Sequence, residues 1–336
     1  MQGKVTSETS ANPIVHVGID VCKVRLDVHI MIEGSEGEAD VALPFANDKK
    51  GTTDLIRTLS KYRVAGVMME PTGKFHRAAH RRLDDVGYSV KVMNPQRSRK
   101  FADCMGLLAK TDKVDARALA MFSRAALHEK TKPLPQASEN LSDIVNARDA
   151  AVAQRTALIN QYKAATLALI KTQIKKMIRS VNETVKAFDE AALAIIKADP
   201  ALMRRLKILT SVPGIGRITA VTLIANMPEL GHVNSKQIAM LAGLAPIAHD
   251  SGDMKGRRQI KGGRAHVRSG IYMATMSAVT WNTDIKKFYD RLVAVGKVKM
   301  VALTASMRKL LVLTNSLLKE DRLWFSEFPI AKPLSS

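Results

Sequence analysis

From Gln136 to Asp199 the chain contains neither glycine nor proline. Apolar residues recur there at helical spacing, at Ile144, Leu158, Ile159, Leu167, Ile170, Ile174 and Ile178. A stretch of this length without a chain breaker predicts a long helix or an antiparallel helical hairpin, broken near Ser180–Glu183. Its heptads are not strict, so a coiled coil that pairs subunits and an ordinary packed helix pair both fit the pattern. The stretch divides the chain into a polar, disordered N-terminus at 1–13, a domain at 14–135, the helical middle at 136–199 and a C-terminal domain at 200–336.

The segment 14–135 alternates between two periods. Ile14–Val21, Leu26–Ile32 and Val41–Phe45 read as strands, followed by a helix at Lys49–Lys61, a strand at Val67–Glu70, a helix at Lys74–Val86 and a strand at Ser89–Met93. Lys110–Ala126 reads as a helix with Thr111 as its N-cap. Three strands in a meander followed by alternating elements is an α/β pattern with the order of a ribonuclease-H-like domain.

Charge narrows the partners. Lys and Arg number 52 and Asp and Glu 31, a net charge of +21, which points to a polyanion, with nucleic acid first and an anionic membrane surface second. Residues 251–309 carry 13 Lys or Arg against 3 acids, so about half of the net charge lies in a sixth of the chain. Aromatic residues make up 4%, too few for a sheet that stacks bases on Phe and Tyr. The 2 cysteines exclude a disulfide scaffold and a cysteine-based zinc site and fit a reducing compartment. No signal peptide and no membrane-length apolar run is read, so a cytoplasmic, nucleoid-associated protein of bacterial or archaeal type is expected, with no membrane partner.

Three constellations carry possible chemistry. Asp20 ends the first strand and Glu70 the fourth, while Asp112 and Asp115 lie three residues apart at a helix start and face one way. Such carboxylates together would bind Mg²⁺, and two ions roughly 4 Å apart could clamp a scissile phosphate. Singly, each acid reads as a surface charge or a helix-dipole partner. The second constellation is the Pro-Gly-Ile-Gly turn in LTSVPGIGRITA, which resembles a helix-hairpin-helix. Gly214 and Gly216 let backbone N–H groups approach a phosphate and Arg217 adjoins them, although a plain helix–helix turn would look the same. The third is Ser251, between Asp250 and Gly252 and followed by Lys255, Arg257, Arg258, Lys261, Arg264 and Arg268. A serine in a loop beside cations could attack a phosphodiester; the blander reading is a turn serine in a DNA-binding basic loop. His76 and His80 have zinc-compatible spacing without further ligands in register, and no Walker motif is present, so no ATP is expected.

The stretches HVGIDVCKVRLDV (16–28), MEPTGKFHRA (69–78), VMNPQRSRKFA (92–102), KTDKVDARALA (110–120), LTSVPGIGRITAVTL (209–223), LAGLAPIAHDSG (241–252) and MRKLLVLTNSLLK (307–319) give the chain its family likeness. It resembles the transposases of the insertion-sequence family numbered one hundred and ten, DEDD serine recombinases guided by a bridge RNA. The resemblance implies an α/β plus α architecture. Its parts are a RuvC/ribonuclease-H-like N-terminal domain, a coiled-coil middle and a mainly helical C-terminal transposase domain with a helix-hairpin-helix. It further implies Asp20, Glu70, Asp112 and Asp115 as a Mg²⁺-binding tetrad and Ser251 as the nucleophile, supplied from a partner subunit and forming a covalent phosphoserine. Donor and target double-stranded DNA, a structured non-coding guide RNA and a homo-oligomer, dimer or tetramer, are the implied partners. The alternative is a metal-dependent RuvC-like junction nuclease without serine covalent chemistry.

Overall fold

The computed structural model describes residues 12–35, 39–107, 109, 111–125, 129–248, 250–252, 254–256 and 258–325. These fall into two units that part between Leu134 and Pro135. Most of the expected disordered N-terminus, 1–11, lies outside the described residues.

In the first unit, β1 (Ile14–Val21), β2 (Arg25–Ile32) and β3 (Val41–Ala46) form an antiparallel meander. Helix α1 (Lys49–Leu59) leads to β4 (Arg63–Glu70), which runs parallel to β1; α2 (Arg77–Asp85) then leads to β5 (Val90–Val92), parallel to β4. The sheet order is β3-β2-β1-β4-β5, as expected of a ribonuclease-H-like sheet. Two further helices follow, α3 (Pro95–Cys104) and α4 (Asp112–Ala125).

Alternation along β1 assigns its two faces. Val15, Val17, Ile19 and Val21 are buried with Leu55 and Leu59 of α1 and Ala79 and Leu83 of α2. His16, Gly18 and Asp20 take the opposite face, where α4 packs on β1, β2 and β4. Gly18 makes that packing possible: a Cβ there would sit 2.0 Å from the Ala116 carbonyl oxygen and 2.3 Å from the Ala120 nitrogen. The helix thus touches the strand backbone through alanines, which brings its first turn beside the end of β1.

The second unit begins with α5 (Gln136–Ala164) and α6 (Ala168–Ala198), which lie against each other as an antiparallel hairpin. The expected break near Ser180–Glu183 is corrected here. Those residues are inside an unbroken α6, and the chain reverses at Ala165–Leu167, where Ala165 and Leu167 are extended. The foot of the hairpin, with Leu141, Val145, Ala192 and Ile196, shares one apolar core with the helices that follow. These are α7 (Pro200–Ser211), α8 (Arg217–Asn226) and α9 (Ser235–Leu241), then, beyond a ribbon segment, α10 (Ala265–Trp281), α11 (Thr283–Ala294) and α12 (Lys299–Lys319). Far from the foot, Leu167, Leu169, Ile170 and Met177 are exposed.

Between α9 and α10 the chain forms four two-residue strands. β6 (Pro246–Ile247) pairs with β9 (Gln259–Ile260), and β7 (Asp250–Ser251) pairs with β8 (Met254–Lys255). Helix α12 is the one helix among the described residues long and apolar enough to cross a membrane, but 56% of that window is buried inside the unit. Its Asn315 is buried, accepting from the Gly231 N–H at 2.8 Å and donating to the Val233 carbonyl at 2.9 Å. Such polar ties specify a protein contact rather than a lipid-facing surface.

Candidate active site

The sheet register aligns acids across three strands. Asp20 on β1 is paired with Glu70 on β4 and with Asp27 on β2. Residues in register across a sheet share a face, so all three carboxylates lie on the side that α4 covers. Helix α4 presents Asp112 and Asp115 in its first turn, where the helix dipole favours negative charge. Thr111 starts that turn: its hydroxyl accepts from the Val114 N–H at 3.3 Å and its carbonyl from the Asp115 N–H at 2.9 Å.

The electrostatics show that the acids crowd one another. Burial, then the charges of Glu70, Asp112 and Asp115, push the Asp20 carboxyl up to about 6. The other three sequence-predicted acids therefore all act on Asp20 at the end of β1. Hard oxygen donors carrying mutually repelling charge are a donor set that suits a hard divalent cation. Among the described residues, no three His, Cys, Asp or Glu side chains close to metal-ligating distances. Two partners that the sequence did not reveal hold the carboxylates in their positions. Arg25 donates from Nε to Asp27 at 2.8 Å and from Nη2 to Asp112 at 2.7 Å. The Ser98 hydroxyl, in the first turn of α3, donates to Glu70 Oε2. Glu70, Ser98, Arg99 and Asp115 line a cavity of about 150 Å³.

Ser98 gives a direct test of this arrangement. It is 6% exposed, and its hydroxyl donates to Glu70 Oε2. Ser98→Ala should raise the Mg²⁺ concentration needed for half-maximal DNA cleavage and slow cleavage by about 10–100-fold, with Thr partly restoring both. A Mg²⁺ titration identical to the parent's would show that Glu70 needs no such orientation.

Arg25, Asp27 and Ser98 escaped the sequence reading, although signals for two of them existed. The β1–β2 hairpin turns at Cys22–Val24, and counting outward from it sets Asp27 opposite Asp20. Asn94 caps α3, accepting from the Gln96 N–H at 2.8 Å, with Pro95 at the first helical position; this start signal puts Ser98 in the opening turn. His80 is buried and bonds the Thr131 carbonyl at 2.8 Å, a tie within the first unit.

In the second unit, the predicted nucleic-acid residues separate into tied and exposed groups. Gly214 has φ +101°, and a Cβ on it would lie 2.5 Å from that of Ala278, so its absence lets the turn pack on α10. Asn282 donates to the Pro213 carbonyl at 3.3 Å and fixes the same turn. Gly216 faces open space at the N-cap of α8 and Arg217 is exposed beside it, forming the outer lip of the α7–α8 hairpin. Arg264 grips Glu229 with both Nη atoms at 2.6 Å and also donates to the Asn226 carbonyl. Burial pushes Glu229 up, but the Arg264 fork more than offsets it and the carboxyl lies below its ordinary value. Arg268 donates to the Gly262 carbonyl at 2.7 Å. Arg258 and Lys261 are exposed, while Arg257 and the Lys255 side chain lie outside the described residues.

Ser251 is exposed on β7, opposite Met254 on β8. Gly252 follows with φ +54°, and Asp250 accepts from the Gly256 N–H at 3.0 Å, closing the hairpin. The serine hydroxyl makes no hydrogen bond among the described residues.

Carboxylates gathered at the strand ends of a ribonuclease-H-like sheet, in a chain of net charge +21, define an enzyme class that handles DNA phosphodiesters. Comparison with known proteins sharpens this. The family described as Transposase, the DEDD type of IS110, matches residues 17–170, and the Transposase IS116/IS110/IS902 family matches residues 206–290. A pilin gene-inverting protein of Moraxella bovis is 24% identical over 316 residues, covering 91% of this chain and 96% of the relative. A transposase for insertion sequence element IS1111A of Coxiella burnetii is 23% identical over 231 residues, covering 59% of this chain and 61% of its own length. The chain belongs to the IS110 family of transposases and is a DNA transposase/recombinase.

Proposed function

We propose that the chain is an RNA-guided recombinase. It cuts and rejoins donor and target DNA through a covalent phosphoserine at Ser251, with Asp20, Glu70, Asp112 and Asp115 holding Mg²⁺. The sheet register that sets Asp20 beside Glu70, together with burial and the charges of Glu70, Asp112 and Asp115 that push Asp20 up to about 6, is the observation that carries the reading. Mg²⁺ bound there would neutralise charge building on the phosphate oxygens. Arg25 and Ser98 keep Asp112 and Glu70 in place for it.

In the serine step, Ser251 Oγ forms a bond to phosphorus and the bond from phosphorus to a deoxyribose oxygen breaks. The departing oxygen gains a proton and the serine loses one. One phosphoester replaces another, so the reverse reaction can rejoin strands without ATP. The name of the Moraxella relative describes inversion of a gene, an outcome that requires both cutting and rejoining. Exposed Arg258 and Lys261 flank the ribbon where a DNA backbone would lie.

The net charge of +21 suits a guide RNA as well as two duplexes, and base pairing with that RNA would supply sequence choice. Exposed Leu167, Leu169 and Ile170 at the end of the helical hairpin suit pairing of subunits. The test is a denaturing gel of the protein with labelled donor and target DNA, Mg²⁺ and RNA transcribed from the flanking DNA. A protein–DNA adduct that needs both RNA and Mg²⁺ is expected. Adduct formation without RNA removes the guide from the reading, and cleavage with no adduct leaves a junction nuclease.

A further inference from the structure

We infer that a groove behind the Ser251 ribbon binds one unstacked nucleotide of the DNA strand on which the serine acts. The inference rests on the proposed role of Ser251 and adds a ligand to it. The groove has a volume of about 540 Å³, within the range of small-ligand sites. Strands β6 and β9, from which the Ser251 hairpin extends, form one wall and the start of α12 the other. Its floor is apolar: Leu244, Ile260, Met300 and Val301. The last three of these are 39–57% exposed, an unusual concentration of apolar surface in so basic a protein.

Two arginines, Arg258 and Arg308, stand at this floor. Neither has a hydrogen bond or an ion pair among the described residues. Other arginines of this unit are occupied: Arg204 with Asp321, Arg205 with the Leu230 carbonyl, Arg264 with Glu229 and Arg268 with the Gly262 carbonyl. Guanidinium groups left unpaired beside an apolar surface are matched by a ligand with a phosphate at one end and a flat, weakly polar body at the other. Paired duplex DNA offers the phosphate but hides the bases, so the floor is used only when a base leaves the stack. A free inorganic anion would use the arginines and leave the floor idle.

The test uses the full chain in EDTA, so that no strand is cut, and reads fluorescence anisotropy with three labelled duplexes. One is fully paired, one carries a single bulged thymidine and one carries an abasic bulge at the same place. The bulged thymidine should bind about tenfold tighter than the abasic bulge, the scale of one stacked base. Arg308→Ala should weaken the bulged duplex most, and Val301→Glu, at an exposed position, should erase the difference between the two bulges. Equal binding of both bulges, or a difference that survives Val301→Glu, overturns the inference. Stronger preference for a bulged RNA duplex overturns the assignment to DNA. Because no covalent step is involved, a failed serine adduct and a failed base preference are separate results.

Discussion

Replacing Asp20 by Asn should produce a protein that is more heat-stable without metal and nearly inactive with it. The two effects have one cause. Burial and three neighbouring carboxylates raise the Asp20 carboxyl to about 6, so ionised Asp20 is disfavoured in the fold. A folded-state value above the unfolded one gives a stabilising contribution that is complete below about pH 4 and disappears as the pH rises through about 6. Above that, folding holds a charge that the unfolded chain would tolerate better. Asn removes the charge while keeping the shape. The full shift would amount to about 3 kcal/mol, but Asp20 is only half-buried, and solvent screening reduces the expected gain to about 1 kcal/mol. Melting in EDTA at pH 8 should rise by about 3 °C, and the gain should vanish near pH 4. With Mg²⁺, cleavage should fall about a thousandfold, because several kcal/mol of charge stabilisation are lost. An unchanged or lower melting temperature at pH 8 would mean that the acids do not crowd one another as described.

The sheet was legible because its signal is periodic. Val15, Val17, Ile19 and Val21 alternate with His16, Gly18 and Asp20, and this alternation fixes both the strand and the face that the acid takes. The helical hairpin was legible as helix but not in its turn. Ser180, Asn182 and Glu183 are polar, yet on an exposed helix face polar residues remain helical in water. The chain turns instead at Ala165–Leu167, so that the two arms, of 29 and 31 residues, match in length and both ends return to the core. The β6–β9 ribbons, each strand 2 residues long, are too short for any period to register. In the basic stretch from Lys255 to Arg268, sequence sees like charges, whereas the fold separates them. Arg264 is tied to Glu229, an acid from a distant part of the chain, while Arg258 and Lys261 face outward. Composition reports how much charge is present, but pairing depends on packing.

Ser251→Ala should abolish the covalent protein–DNA adduct and lower strand exchange by at least about ten-thousandfold, the scale of losing a nucleophile. The substitution is unusually clean. Ser251 is exposed, its hydroxyl supports no hydrogen bond among the described residues, and the hairpin is closed by backbone pairing with Met254 and by Asp250. Removing one oxygen there should leave the melting temperature within the range of ordinary surface changes, about 0.5 kcal/mol either way. Affinity for DNA should also hold, since Arg217, Arg258 and Lys261 are untouched. A variant that folds, binds DNA and Mg²⁺, and yet forms no adduct isolates the chemistry of the hydroxyl. The acids alone can still support hydrolysis with water as the nucleophile, so slow nicking by Ser251→Ala is compatible with the reading. Strand exchange is different, because rejoining without ATP requires the broken bond's energy to be kept in an ester. If Ser251→Ala exchanges strands at the parent's rate, that ester is not on this serine, and the acidic site must work with another nucleophile.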